Sequence, residues 1–347
     1  MTAVRFGLRC PPCAPATQVA AFAREAEEAG FEAAWFGDSQ FLWRDVWATM
    51  ALAAVETERI VLGAAVTNFE TRHVAVTASA AATVAELAPG RVRVGVGTGD
   101  SAVKTLGRRP TRLARMREQI ETLNRLLAAE AERFGDDEFF GERSMRVRHA
   151  PGHPLPIYMG ASGPRALALA GEIADGAIVL AGLAPELIRR SLGRVESGAA
   201  RGGRSRADVD IWLAAHAAVT PDEETAARLV KPLCLSSAQL GAAEALRAVG
   251  IDLEVPPVVE GIYPDVTHAE NWERAIEVAE RYVDDRAADR YARAFTLAGP
   301  AELIAGRVEA ALEHGVQGFY VLDVSSYELP RALLRAFGER IIPRFAE

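Results

Sequence analysis

The sequence predicts an α/β fold, a TIM (β/α)8 barrel with a helical insertion between its late strands, and three observations support it. Strand and helix signals alternate from the N-terminus, the pattern of a parallel sheet with crossover helices. Eight strand signals are spread over 347 residues, whereas eight barrel units need roughly 250, leaving about 100 for loop extensions. The glycines after the fourth strand signal run Gly95-x-Gly97-x-Gly99, with a loop before the next helix. A doubly wound open sheet, the competing architecture, requires Gly-x-Gly-x-x-Gly opening a helix at once, normally after the first strand.

The elements follow in order. Arg5 to Arg9 is the first strand, and Thr17 is read as the cap of a helix with Val19, Phe22, Ala23 and Ala26 on one face, ending at Gly30. Ala33 to Gly37 is the second strand, and Asp45 begins the second helix. Ile60 to Val66 is the third strand, and Val74 to Leu87 is a helix closed by Pro89-Gly90. After the strand Val92 to Val96 comes a long helix from Thr111 to about Glu132, with Leu113, Met116, Ile120, Leu123 and Leu127 at spacings of three and four. Phe139 to Arg148 reads as a short hairpin. Then come the strand Ile157 to Met159, the helix Pro164 to Ile173, the strand Gly176 to Leu180, the helix Pro185 to about Gly198, and the strand Val209 to Val219. Residues 222–295 are helical and amphipathic apart from Pro256-Pro257, and form the insertion near the barrel mouth of a single domain spanning 1–347. The helix Pro300 to His314, the strand Gly318 to Leu322 and the helix Leu329 to Phe337 complete the repeat.

Composition narrows the function. Half of the residues are hydrophobic and a quarter charged, ordinary for a soluble globular protein. No apolar run approaches a membrane span, and Met1 to Gly7 lacks the regions of a signal peptide, so a cytoplasmic protein with no membrane partner is expected. A net charge of -8 argues against nucleic acid as a general partner and leaves a small-molecule substrate. Three cysteines are too few for a disulfide framework. Cys10-Pro11-Pro12-Cys13 has redox or half-zinc spacing, but no second pair follows; the alternative is a stiff loop facing the site. Cys234 reads as a packing residue.

In such a barrel the site lies at the C-terminal strand ends, which offer Cys10, Asp38, Thr67-Asn68, Gly97-Thr98-Gly99-Asp100, Gly160-Ala161-Ser162-Gly163, Ala181-Gly182 and Asp323. This set holds no Ser-His-Asp group and no histidine pair at metal-ligand spacing, so no metal is expected. Gly160 to Gly163 joins a strand to a helix with Pro164 near the first helical position, a place where backbone amides favour a phosphate; a plain tight turn is the alternative. Asp38 either orients a ring or relays a proton, or caps its turn. Asp100 is the better general acid or base. Trp43 could cover one face of a flat ring, whereas Trp47 reads as core. His73 either touches ligand or caps the following helix. Lys104, Arg108, Arg109 and Arg112 form a basic cluster that is either solvated surface or the seat of an anionic tail.

These residues together resemble the bacterial luciferase-like superfamily of flavin- and deazaflavin-dependent oxidoreductases, in the branch around methylenetetrahydromethanopterin reductase. The resemblance rests on Ala29-Gly30-Phe31 leading into Trp35-Phe36-Gly37-Asp38, on Val66-Thr67-Asn68-Phe69-Glu70-Thr71-Arg72-His73, and on Gly95-Val96-Gly97-Thr98-Gly99-Asp100. It extends to Pro156 through Arg165 and to the Ala298-Gly299-Pro300 helix ending in Gly315-Val316. Phe69 and Val74 stand where the family commonly has proline. The resemblance implies an enzyme, usually a homodimer, that binds coenzyme F420 or FMN at the strand ends. It also implies a non-proline cis peptide near Ala65-Val66. Asp38, Ala65, Val66, Thr67, Asn68, Gly97 and Thr98 would then line the cofactor, with Gly160, Ala161, Ser162 and Gly163 on its phosphate. Asp100 would lie near the reacting ring. With F420 the reaction is hydride transfer to or from a small organic substrate. With reduced FMN from a partner flavin reductase it is a two-component monooxygenation. A non-catalytic flavin-binding paralogue is a further alternative.

Overall fold

The computed structural model describes residues 4–134, 144–325 and 327–346. Strands β1 (Arg5–Arg9), β2 (Ala33–Phe36), β3 (Val61–Thr67), β4 (Val92–Val96), β5 (Ile157–Ala161), β6 (Gly176–Val179) and β7 (Asp210–Val219) pair in parallel in chain order. A short β8 (Leu297–Gly299) pairs with the far end of β7, and β9 (Gly318–Asp323) joins β7 to β1 and closes the barrel. Between them run α1 (Ala16–Glu28), α2 (Val46–Glu56), α3 (Val74–Leu87), α4 (Ser101–Lys104), α5 (Leu113–Leu127), α6 (Pro164–Ile173) and α7 (Pro185–Arg201). Helices α8 (Glu223–Leu229), α9 (Lys231–Gln239), α10 (Ala243–Ala248), α11 (Trp272–Ala279) and α12 (Asp285–Phe295) form the insertion; α13 (Ala301–Leu312) and α14 (Arg331–Arg340) finish the outer layer. No helix among the described residues is long and apolar enough to cross a membrane.

The period-two alternation of each strand sorts its side chains between the helical layer and the barrel interior. Phe6 and Leu8 of β1 join the core beneath the helices, so Gly7 and Arg9 face inward. The interior is filled in layers. At its base Asp210 accepts hydrogen bonds from Arg5 Nη1 (3.2 Å), Tyr158 Oη (2.5 Å) and Trp212 Nε1 (3.1 Å). In the middle Trp35 packs against Tyr158, Trp212 and Tyr320, with ring centroids 5.7, 5.4 and 5.8 Å away. Gly7 and Gly63 flank this indole, and a Cβ on Gly63 would lie 2.2 Å from it. The insertion has its own apolar cluster around Val230, Leu233, Ile251, Val278 and Tyr291.

Several boundaries differ from expectation. Pro15, not Thr17, occupies the N-cap of α1, because the ring of Pro15 already sets the entry conformation and Thr17 falls inside the first turn. Helix α5 ends at Leu127, where its apolar ladder stops and Ala129 takes a left-handed φ of 61°. Helix α7 runs through Gly198 to Arg201. That glycine serves packing rather than termination, since a Cβ there would lie 1.8 Å from the Ala168 carbonyl of α6. The expected hairpin at Phe139 to Arg148 falls largely on residues 135–143, outside the described residues; beside them Glu132 and Met145 form an antiparallel bridge. Both β8 and the short α4 escaped the sequence reading.

Candidate active site

The β3–β4 pairing shifts register between Ala64 and Thr67, and the Ala65-Val66 peptide is cis, where the resemblance placed it. The Val66 side chain reaches across the ends of β4 and β5. A Cβ on Gly97 would lie 2.5 Å from Val66 Cγ2, and one on Gly160 would lie 3.0 Å from Cγ1. Glycine at these two strand ends therefore lets the bulge close over the backbone, and Ala65, Val66, Gly97 and Gly160 form one wall of the barrel mouth.

Asp38, at the end of β2, is committed to a charge network. Arg72 Nε donates to its Oδ2 at 2.7 Å and Arg72 Nη2 to its Oδ1 at 3.0 Å, while the Thr67 hydroxyl donates to Oδ2 at 2.7 Å. Arg72 Nη2 also donates to Asp45 Oδ2 at 2.7 Å. Hydrogen bonds to Asp38 raise the Arg72 pKa above its ordinary value despite burial. Asp38 thus joins the loops after β2 and β3 through paired, charge-assisted hydrogen bonds. Asn68 is buried, and its Oδ1 accepts from the amides of Glu70 and Thr71. That oxygen holds the loop in an Asx turn. Thr98 fixes its own loop through its carbonyl, which accepts from the Thr111 amide at 2.7 Å.

Helix α6 starts at Pro164 behind Gly163, and no side chain caps it. A Cβ on Gly163 would meet nothing within 4 Å, so the amides of the first turn are open to an anion. They border a cavity of about 340 Å³ enclosed by the ends of β5 to β7 and by α7, α9, α10 and α12. Its walls include Ser162, Gly163, Arg190, Arg194, His216 and Tyr291. Arg190 pairs with Glu244, while Arg194 has no carboxylate partner among the described residues. An anionic group and a flat apolar body fit this combination of open amides, arginine and apolar wall.

The centre of the mouth holds Arg9, His216, Asp265 and His268, which the sequence reading passed over, beside Asp323 and Trp43, which it named. Arg9 is 7% exposed, and its Nη2 donates to the carbonyls of Asp323 (2.6 Å) and Ser325 (2.7 Å). Burial lowers the Arg9 pKa and raises that of Asp323. By its register opposite Leu322, His216 of β7 stands at the same height. Burial first, then Arg9 and His268, hold His216 down to about 3, so its ring is neutral. Above it, Asp265 of the insertion accepts from His268 Nδ1 at 3.0 Å, an orientation that leaves Nε2 free of that bond. Trp43 fits against Gly37, whose Cβ would lie 2.2 Å from the indole, and meets His268 edge-on at 6.2 Å. The one sequence signal for this pair is a His three residues after an Asp in a long loop.

Other candidates lie apart. Asp100 pairs with Lys104, and its side chain is half exposed. It is not among the residues lining the cavity. His73 is the N-cap of α3, where Nδ1 accepts from the Ala75 amide at 3.2 Å, so it plays the capping role. Cys10 faces the helical core, not the site as a stiff-loop residue was expected to: alternation turns Arg9 inward and Cys10 outward, and burial pushes its thiol well above the usual range. Arg108 Nη1 donates to the Glu70 carbonyl at 2.7 Å, and this basic cluster does not line the cavity. Among the described residues no group of three or more His, Cys, Asp or Glu could hold a metal ion.

The chain is 34% identical over 226 residues to a 5,10-methylenetetrahydromethanopterin reductase from Methanolobus tindarius, covering 64% of this chain and 67% of that protein. It is 33% identical over 229 residues to an F420-dependent glucose-6-phosphate dehydrogenase from Microbacterium testaceum, covering 61% of this chain and 68% of that one. The solved F420-dependent tetrahydromethanopterin reductase of Methanopyrus kandleri superposes with a TM-score of 0.75 at 25% identity, covering 99% of this chain and 100% of its own. The profile of the luciferase-like monooxygenase family matches residues 4–318, and with its closed barrel, its bulge at Ala65-Val66 and its mouth-side cavity the chain belongs to that family of oxidoreductases.

Proposed function

We propose that this enzyme is an F420-dependent oxidoreductase that moves a hydride between the deazaflavin and a small organic substrate held under the insertion. The observation that carries this reading is the single cavity that joins the uncapped start of α6 and Arg194 to the neutral His216. The F420-dependent relatives support the choice of cofactor.

When bound, F420 supplies a two-electron carrier whose ring does not readily activate oxygen. The first-turn amides of α6 and Arg194 would hold its phosphate, and Val66 would back its ring. Trp43, the insertion and the apolar cavity wall exclude water from the reacting partners. His216, being neutral, offers a hydrogen bond to the substrate without adding charge. His268, held at Nδ1 by Asp265, moves the proton at Nε2 that an alcohol or carbonyl substrate gains or loses with the hydride.

Titration of the purified chain with F420 and, separately, with FMN, followed by fluorescence quenching, tests the reading. Saturable F420 binding with weak FMN binding is the expected result. Tighter binding of FMN overturns it in favour of a monooxygenase supplied by a partner reductase.

A further inference from the structure

Outside the barrel, between α5, α6 and α7, lies a second concavity of about 570 Å³ that shares Pro164 and Arg194 with the cavity of the active site. Its floor is formed by close helix contact. A Cβ on Gly171 would lie 2.0 Å from the Val195 carbonyl, so α6 and α7 meet backbone to backbone and long side chains rise from either flank. Those side chains are Arg117, Arg165, Arg194 and Arg201, with Glu172 as the one acid. Glu172 is shared between Arg117 (2.7 Å) and Arg201 (3.4 Å), while Arg165 and Arg194 have no carboxylate partner among the described residues. In a chain of net charge -8, four arginines against one glutamate along one groove form a local reversal of sign.

The groove starts where the phosphate site ends. Gly163 and Pro164 belong to the uncapped start of α6, and the groove follows that helix down the barrel wall. The ten residues of α6 span about 15 Å, room for more than one residue of an extended anionic chain. Beyond its phosphate, F420 carries a lactyl group and a chain of γ-linked glutamates, each with a free α-carboxylate.

We infer that the groove between α5, α6 and α7 seats the oligoglutamate tail of the cofactor, its carboxylates pairing with Arg165 and Arg201 after the phosphate, beside Arg194, has turned the corner at Gly163. The inference rests on the F420 reading of the active site. It places the tail there instead of at Lys104, Arg108, Arg109 and Arg112, which lie away from the cavity.

The test is equilibrium binding by fluorescence quenching of two cofactor forms, one without glutamates and one with several, at low and at high salt. Several exposed ion pairs acting together are expected to favour the long form on the order of tenfold at low salt, an advantage that about 0.5 M salt removes by screening. In the double variant Arg117→Glu/Arg201→Glu, on α5 and α7 away from the first turn of α6, the advantage disappears while the short form binds as in the wild type. Circular dichroism checks that the variant is folded, and Arg117→Lys/Arg201→Lys keeps the preference because it keeps the charge. Equal affinity of the two forms for the wild type overturns the tail site and leaves the F420 reading standing. A preference that survives the charge reversal also overturns it, since the tail then runs elsewhere. Failure of both forms to bind overturns the F420 reading and this inference with it.

Discussion

Val66 lies so close to Gly97 that a Cβ on the glycine would stand 2.5 Å from Val66 Cγ2. The contact joins the bulge of β3 to the end of β4, and a β-branched side chain has little freedom to yield. Gly97→Ala is therefore expected to cost about 1–3 kcal/mol of stability through overpacking and to weaken cofactor binding, because relief requires the bulge to move. Adding Val66→Ala removes the offending methyl groups and should restore thermal stability. Melting temperatures of the single and double variants decide the matter: no recovery in the double variant places the cost of Gly97→Ala elsewhere.

The Asp38–Arg72 pair is asymmetric, with side-chain exposures of 5% and 21%. Removing Arg72 strands a buried carboxylate that keeps only the Thr67 hydroxyl, whereas removing the charge of Asp38 leaves Arg72 its second partner, Asp45. Arg72→Gln is expected to cost about 3 kcal/mol, at the low end for a broken buried pair because the arginine is partly solvated. Asp38→Asn should cost less, about 1–2 kcal/mol. Urea denaturation that ranks the two variants in the opposite order contradicts the anchoring role.

These two relationships mark where sequence reading succeeds and where it stops. The strands were legible because apolar runs such as Val61 to Val66 and Val92 to Val96 end in turn residues, and the glycines at 97 and 160 signalled backbone approach. That Val66 is what approaches them depends on the shifted register between β3 and β4. Asp38 and Arg72 were both visible, but their pairing depends on two loops meeting after different strands. Arg9 was read as the end of a strand, since nothing local says that the residue after Leu8 points into a barrel. His268 and Asp265 sit in an aperiodic loop of the insertion, where only the tertiary fold brings them over Trp43.

His216 carries a pH dependence with a definite sign. Its folded-state value lies at about 3, against 6.5 for an unperturbed ring, because of burial first and then Arg9 and His268. A depressed value means that below about 6.5 the unfolded chain takes up a proton the folded chain refuses. The stabilising contribution is complete above that pH and is lost as pH falls toward 3, by up to about 1.4 kcal/mol per pH unit. Between pH 6.5 and 5, where most carboxylates have not begun to protonate, His216→Gln should flatten the decline in unfolding free energy. Parallel profiles for the wild type and the variant count against a neutral His216 ring.

The proton step assigns unequal weight to His268 and Asp100. His268 lies over the mouth, edge-on to Trp43 and held by Asp265, whereas Asp100 pairs with Lys104 with half of its side chain in solvent. His268→Gln is expected to lower kcat by about 100-fold with little change in KM, the usual scale for losing a general acid or base. Asp265→Asn acts through the same ring: it removes the acceptor that fixes Nδ1, so it should lower kcat by about tenfold with little change in KM. Asp100→Asn should change kcat by no more than about twofold, as expected for a solvated pair. Steady-state kinetics with F420 and a turned-over substrate separate these outcomes, and a larger loss for Asp100→Asn than for His268→Gln moves the proton-transfer role to Asp100.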